Sequence, residues 1–434
     1  MRRLSQLVVL LLAVAVLWTP GRTAMAAEPG PLDARLEQLL AAAQADNPEL
    51  KSDQARWESF REKIRQAGTF DDPMLMLRLQ NLLIRDPLAF DRDSTSAKII
   101  GISQMVPFFG KRGLAKEAAA QEAETARWGL EERKLELAAM VKESWSQLLF
   151  VERYLEIIER NIVILDDLSR YSETMYGLGK GRQQEVLKAQ LERTRMEEMR
   201  IILAQKRRSL VASLNSLAYR PASEPITPAV ALALTPLTLT AAELEQMAEE
   251  NRPLLKVAAA RAQKAKAMRA LAARELYPDF TFSFEYMQRQ SSEMDADGFD
   301  MYSTGVTFNI PLQHDRRQAM VAEGEADTRM AEADREMALN AIRLGIGDGL
   351  ARLEGSRNLA RLYRQGIIPQ ADNIYQATMS AYRAGKAEFM TVLDSRMTLI
   401  NFEREYCEAV ADYQMQLARL EAVVGTALPT GAGE

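Results

Sequence analysis

A stretch of roughly 200 residues occurs twice in this chain. Asn47-Pro48-Glu49-Leu50-Lys51 returns loosely as Asn251-Arg252-Pro253-Leu254-Leu255-Lys256. Gly101-Ile102-Ser103-Gln104-Met105-Val106-Pro107 returns as Gly305-Val306-Thr307-Phe308-Asn309-Ile310-Pro311. Tyr176-Gly177-Leu178-Gly179-Lys180 returns as Tyr382-Arg383-Ala384-Gly385-Lys386, and Val186-Leu187 as Val392-Leu393. The offset stays between 204 and 206 residues throughout. Four matches in one order and one spacing indicate a duplicated unit, far longer than a solenoid repeat. Whatever fold the first half adopts, the second must adopt too. The units span 27–218 and 241–425. Between them, 219–240 holds Pro221, Pro225, Pro228 and Pro236, which exclude a continuous helix. This segment reads as a connector crossing the outside of the molecule, and 426–434 reads as a flexible tail.

Each unit opens with a helical stretch, about 33–68 and 241–276, and then changes period. In Phe280-Thr281-Phe282-Ser283-Phe284-Glu285-Tyr286 apolar and polar residues alternate strictly, as on a strand. The strands are expected at about 73–81 and 97–107 in the first unit, and at about 278–289 and 300–311 in the second. Leu75, Leu77 and Leu79 share one face of their strand, and Ile100, Ile102 and Val106 one face of theirs. Phe280, Phe282, Phe284 and Tyr286 form the matching set in the second unit, with Val306, Phe308 and Ile310 on its partner. A soluble sheet would bury such a face against a core, and a membrane barrel would turn it to lipid. Period two alone does not choose. Four strands are too few to close a barrel from one chain, whose minimum is about eight. If they span lipid, several chains must share the barrel, because an open edge is not viable in hydrocarbon.

The remainder is helical. From about Arg112 to Met175 and from Asp315 to Ala381 the composition is Ala, Glu, Leu, Arg and Met. Leu148, Val151, Leu155, Ile158, Ile162 and Leu165 alternate spacings of 3 and 4, a coiled-coil seam. Such a helix reaches roughly 100 Å at 1.5 Å per residue. Past each Gly-Lys turn a shorter helix returns, at about 182–217 and 387–424. The opening helix supplies the missing half if the two stack end to end. Pro369, after Gly366, predicts a kink or break, and Gly345, Gly347, Gly349 and Gly355 weaken the same helix.

Residues 1–26 read as a secretory signal peptide. Arg2 and Arg3 precede an apolar run from Leu7 to Trp18, and Ala24-Met25-Ala26 offers a cleavage site. That run is too short to span a membrane as a helix, which needs about 20 residues. Cleavage removes three arginines and no acid, moving the formal charge from -5 to -8, with 52 basic residues against 60 acidic. A chain this acidic carries no footprint for nucleic acid. A single cysteine, Cys407, gives no disulfide framework and lies too far along to carry an N-terminal lipid. A single histidine, His314, and the lack of a Gly-rich phosphate loop leave no basis for an enzyme, a cofactor or a metal site. The 21 methionines are no sign of copper: they do not cluster and read as fillers of helical seams.

Signal peptide, two repeats, two strands per repeat, long helices and a glycine turn together resemble the TolC-type outer membrane efflux proteins. The most specific pieces are Tyr382-Arg383-Ala384-Gly385-Lys386 followed by Val392-Leu393-Asp394-Ser395-Arg396, its echo at 176–190, and Val106-Pro107-Phe108-Phe109-Gly110-Lys111-Arg112. The run from Ser103 to Arg112 resembles members that serve heavy-metal pumps. The resemblance implies a mainly α fold with a small β part and a homotrimer sharing a twelve-stranded barrel. It also implies a helical periplasmic tunnel, with a periplasmic membrane-fusion adaptor and an inner-membrane pump as partners. It places Phe280, Phe282, Phe284, Tyr286, Val306, Phe308 and Ile310 against outer membrane lipid. Tyr176, Gly179, Lys180, Tyr382, Gly385 and Lys386 become the tips that dock the adaptor. Asp394, with Glu185 in the matching stretch of the first repeat, becomes the acidic periplasmic aperture. Thr391 stands where some members carry a second acid. Lys386 and Arg396 are candidate partners for Asp394. The alternative is a periplasmic coiled-coil adaptor or scaffold, which has no need of four aromatics facing outward from one strand.

Overall fold

A computed structural model describes residues 34–228, 234, 236–291 and 297–429. The expected signal peptide 1–26, part of the connector and residues 430–434 of the tail lie outside the described residues. The first unit contains α1 (Ala34–Asp46), α2 (Pro48–Gly68), β1 (Met74–Gln80), β2 (Ala97–Val106), α3 (Lys111–Gly177) and α4 (Gln183–Leu217). The second contains α5 (Ala241–Asn251), α6 (Pro253–Arg274), β3 (Phe280–Arg289), β4 (Met301–Phe308), α7 (His314–Leu362), a π-helical turn (Tyr363–Ile367), α8 (Ile368–Arg383) and α9 (Phe389–Val424).

The opening helix of each unit, expected as one helix over about 33–68 and 241–276, is broken in two. Asn47 and Arg252 leave helical geometry, and the proline after each starts a new helix at a position that needs no N–H donor. The repeated proline motif is therefore a helix break. Asn47 caps α2 by accepting from the Glu49 N–H at 2.8 Å, and donates to the Leu217 carbonyl at the end of α4 at 3.3 Å. That contact joins α2 and α4 end to end along α3. The expected stacking thus holds for α2, while α1 turns aside. Its Leu36, Leu39 and Ala43 pack with Leu137, Val141, Trp145 and Leu214. In the second unit α6 and α9 run beside the α7–α8 line, and α5 packs Leu244 and Ala248 against Ile346, Tyr413 and Leu417. The connector is pinned at both ends. Ile226 is buried in the first unit's core, and Leu237 in the second's, where its N–H donates to the Tyr413 hydroxyl.

Pro369 does not break the line. The Ile368 N–H reaches back five residues to the Tyr363 carbonyl, and the proline falls in the first turn of α8. A π turn inserts one extra residue and so shifts the ladder past a residue with no donor. The four glycines leave α7 unbroken as well. A Cβ at Gly345 would lie 3.2 Å from Val423, and one at Gly349 3.2 Å from Leu420, so these two let α7 approach α9 closely. Gly347 and Gly355 face open space.

The sheet runs β1-β2-β3-β4, antiparallel throughout, so the two units meet at β2 and β3. Its register sets Leu75, Ile102, Phe284 and Thr304 in one row, and Leu77, Ile100, Tyr286 and Tyr302 in the next. The Leu, Phe, Tyr and Val residues of the four strands, with Ile100 and Ile102, share one face, as their alternation predicted. Along β2 the opposite face is the less exposed one: Ala97, Ile99 and Gly101 are buried while Lys98, Ile100 and Ile102 are not. β3 repeats the pattern, with Thr281, Ser283 and Glu285 less exposed than Phe282, Phe284 and Tyr286. Over β2 and β3 the sheet therefore shelters its polar side, the concave one, and opens its apolar side, the convex one, while β4 is exposed on both. Among the described residues, β1 and β4 each keep one unpaired edge.

Candidate functional site

Both hairpin tips close in the same way. Gly179 and Gly385 adopt φ of 72° and 70°, the left-handed region in which a Cβ is strained. Each donates its N–H to the carbonyl three residues back, Tyr176 and Tyr382, at 2.9 Å in both cases. Lys180 and Lys386 then donate to the carbonyls of Met175 and Ala381 at 2.9 and 2.8 Å. These paired bonds are a Schellman motif, which satisfies helix-end carbonyls and reverses the chain.

The two tips differ in their side chains. Tyr176 is exposed, whereas its repeat partner Tyr382 is half-buried, with its ring 5.7 Å from Tyr171 and 5.6 Å from Phe389. Burial and the nearby Glu185 carboxylate push the Tyr382 hydroxyl above its ordinary pKa, while a hydrogen bond with Ser172 opposes them. Glu185 thus lies by the second unit's tip. Asp394 is exposed on α9, and neither it nor Lys386 forms a side-chain ion pair among the described residues. Arg396 is not its partner. Two residues apart on a helix point in different directions, and Arg396 turns inward. Its Nε donates to Asn161 Oδ1 of α3 at 2.8 Å, and its guanidinium lies 5.0 Å from the Tyr375 ring centre.

The sheet supplies the second site. Its convex face carries Phe282, Phe284, Tyr286, Val306 and Phe308, each at least two-fifths exposed, and no element among the described residues covers them. Phe280 sits at the start of β3 and is partly covered, with its ring 6.3 Å from that of Phe308. Ile310 is exposed but lies two residues beyond the end of β4. The sequence profile of the outer membrane efflux protein family matches residues 39–219 and again 244–426, one match to each unit.

This chain belongs to the outer membrane efflux protein family.

It is 25% identical over 403 residues to the cobalt-zinc-cadmium resistance protein CzcC of Cupriavidus metallidurans, covering 91% of this chain and 90% of that one. It is 25% identical over 357 residues to the pyoverdine export outer membrane protein OpmQ of Pseudomonas aeruginosa, covering 79% and 72%. The crystal structure of the outer membrane protein VceC from Vibrio cholerae shares the fold, with a TM-score of 0.77 at 19% identity over 91% of this chain and 97% of that one. The protein is an efflux channel of the outer membrane with its helices in the periplasm, and not an enzyme. A soluble scaffold is disfavoured by the uncovered convex face, since solvent exposure of so large an apolar surface is rare in soluble monomers.

Other polar sites of this efflux protein were not foreseen from its sequence. The seam of α3 is wider than expected: Leu155 and Ile162 pack partly buried against the core, Tyr154 and Asn161 are buried beside them, and Asn161 meets Arg396 there. An asparagine among apolar seam residues was the available signal, because a buried polar group at a seam position fixes register. Glu132 of α3 accepts from the Leu254 N–H at 3.2 Å and pairs with Arg252 at 2.5 Å. It caps α6 from another helix, where α2 is capped by its own Asn47. Burial pushes the Glu132 carboxyl above its usual range, against the pull of Arg252. Lys111, buried at the strand-to-helix joint, contacts Asp279 at 2.9 Å and Glu275 at 3.2 Å, tying the two units together beneath the sheet.

Proposed function

We propose that three copies of this chain close one twelve-stranded barrel in the outer membrane, continued below by a passive periplasmic conduit. The observation that carries this reading is the four-stranded sheet with an apolar convex face and two unpaired edges. Open edges are not viable in hydrocarbon, and four strands are half of the smallest single-chain barrel, about eight. Phe280, Phe282, Phe284, Tyr286, Val306 and Phe308 meet lipid, and Ile310 sits just below them. The tips formed by Tyr176, Gly179, Lys180, Gly385 and Lys386 dock a membrane-fusion adaptor, which links the conduit to an inner-membrane pump. Tyr382 braces the tip from within. Asp394 and Glu185 lie one to three turns from the tips, where threefold symmetry repeats each carboxylate around the mouth. Charges of one sign at a narrow mouth concentrate cations.

The test pairs two adjacent substitutions. Phe282→Lys puts a charge on the lipid face, at a cost of about 2–4 kcal/mol near the midplane, and should reduce trimer recovered from outer membranes. Thr281→Lys, on the concave face, should assemble as wild type. Equal loss in both variants, or a monomeric native mass with strand content retained, refutes the shared barrel. In planar bilayers, block by multivalent cations from the tip side should weaken in Asp394→Ala. Unchanged block in Asp394→Ala with Glu185→Ala removes both residues from the aperture.

A further inference from the structure

The two faces of the sheet divide their apolar residues by chemical type. The convex face holds thirteen Leu, Ile, Val, Phe and Tyr side chains and not one methionine. All five strand methionines, Met74, Met76, Met105, Met287 and Met301, lie on the concave face, where Ile99 and Ala97 are the other apolar side chains. A methionine used as generic apolar filler would appear on both faces. The scatter seen along the sequence is therefore a cluster in the sheet.

The five form two groups. At the end nearest the helices, Met74 pairs with Ser103, which makes Met74 and Met105 diagonal neighbours across β1 and β2. Such neighbours lie about 7–8 Å apart, within reach of long side chains. Both are exposed, and Met76 bends over Gly101, its Cε lying 3.1 Å from where a Cβ would stand. At the far end Met287 and Met301 are directly paired across β3 and β4, with the Met301 sulfur accepting from Arg289 at 3.7 Å. Glu285, the one strand carboxylate on this face, is neutralised by Arg78 at 2.8 Å. Neutral thioethers without a free carboxylate suit soft monovalent metal ions and give an oxygen-seeking divalent ion no ligand.

Building on the shared-barrel reading, which turns the concave face to the lumen, we propose that these methionines are a ladder of thioether sites for a soft monovalent metal ion, Cu(I) or Ag(I), in transit. Several weak sites in series suit passage better than one tight site, since conduction needs entry and release alike. The trio Met74, Met76 and Met105 dominates, because Arg289 competes for the Met301 sulfur.

The test uses the full channel in a Cys407→Ser background, so that no thiol binds silver, and the probe is Ag(I) in chloride-free buffer. Peroxide oxidation of each methionine is followed by mass spectrometry in intact outer membranes. Met74, Met105 and Met301 should oxidise readily, and Ag(I) should slow Met74 and Met105 by about tenfold, as ligation of the sulfur would. Zn(II) should give no protection. In planar bilayers Ag(I) should reduce the current, and the Met74→Leu, Met76→Leu, Met105→Leu triple variant, a swap that conserves volume, should weaken that effect by about tenfold. Methionines shielded from peroxide in membranes would place this face against lipid, and both the barrel orientation and the metal ladder fall. Methionines that oxidise readily with and without Ag(I), or silver block unchanged in the triple variant, overturn the ladder alone.

Discussion

The buried Asn161–Arg396 pair makes a sharp prediction because its two members come from different repeats. Arg396 is only 6% exposed, and Asn161 is fully buried. Among the described residues the guanidinium has no carboxylate partner; it donates Nε and one terminal nitrogen to Asn161 Oδ1 and lies over Tyr375. Burial lowers its pKa from the ordinary value, yet an arginine stays charged. Asn161→Leu therefore leaves a buried cation without its acceptor, at a cost of about 3–5 kcal/mol. Arg396→Met is milder. It leaves Asn161 Oδ1 unpaired, about 1–3 kcal/mol, and removes the cation from the Tyr375 ring, about 1 kcal/mol. The Asn161 amide keeps its bond to the Ile157 carbonyl at 2.6 Å. With both changed, neither unpaired group remains, and the double variant should lie within about 1–2 kcal/mol of wild type. The assay is thermal unfolding of the detergent-solubilised channel at one scan rate, read by tryptophan fluorescence. The melting order should be wild type, then the double variant, then Arg396→Met, then Asn161→Leu. A double variant as damaged as the two singles summed would show that the pair is not coupled.

Three further outcomes are expected. Burial pushes the Cys407 thiol up to about 11, so a maleimide at pH 8 should leave the native channel unlabelled and label it fully after denaturation; rapid native labelling would contradict its buried position. Gly385→Val should strain the left-handed tip by roughly 1–3 kcal/mol and reduce adaptor cross-linking while trimers still form, because open space around Gly385 leaves backbone conformation as the cause; cross-linking at the wild-type level removes the tip from docking. The Glu132 carboxyl has its pKa raised above 4.5 by desolvation, so its contribution to stability is fullest below that value and falls as pH rises through the folded pKa. Glu132→Gln should remove that part of the pH dependence, and an unaltered melting profile between pH 4 and 7 would assign the slope to other groups.

Much of this architecture follows from the sequence alone. Period two fixed the facing of Phe282 and Thr281, because successive strand residues point to opposite sides whatever lies beyond them. The glycines at 179 and 385 marked the chain reversals, because few other residues tolerate the left-handed region. The offset of 204–206 residues required the two units to share one plan. Other features depended on contacts between residues far apart in the chain, which no local pattern carries. The proline of Asn47-Pro48 could have begun a helix or interrupted one, and the Leu217 carbonyl waiting at the end of α4 decided for the break. Pro369 promised a kink, and a π turn absorbed it. Arg396 stood two residues from Asp394 and looked like its partner, but helical geometry turned it inward to an asparagine 235 residues away. The methionines were scattered in sequence and gathered only by strand register, because pairing across four strands determines which residues share a surface.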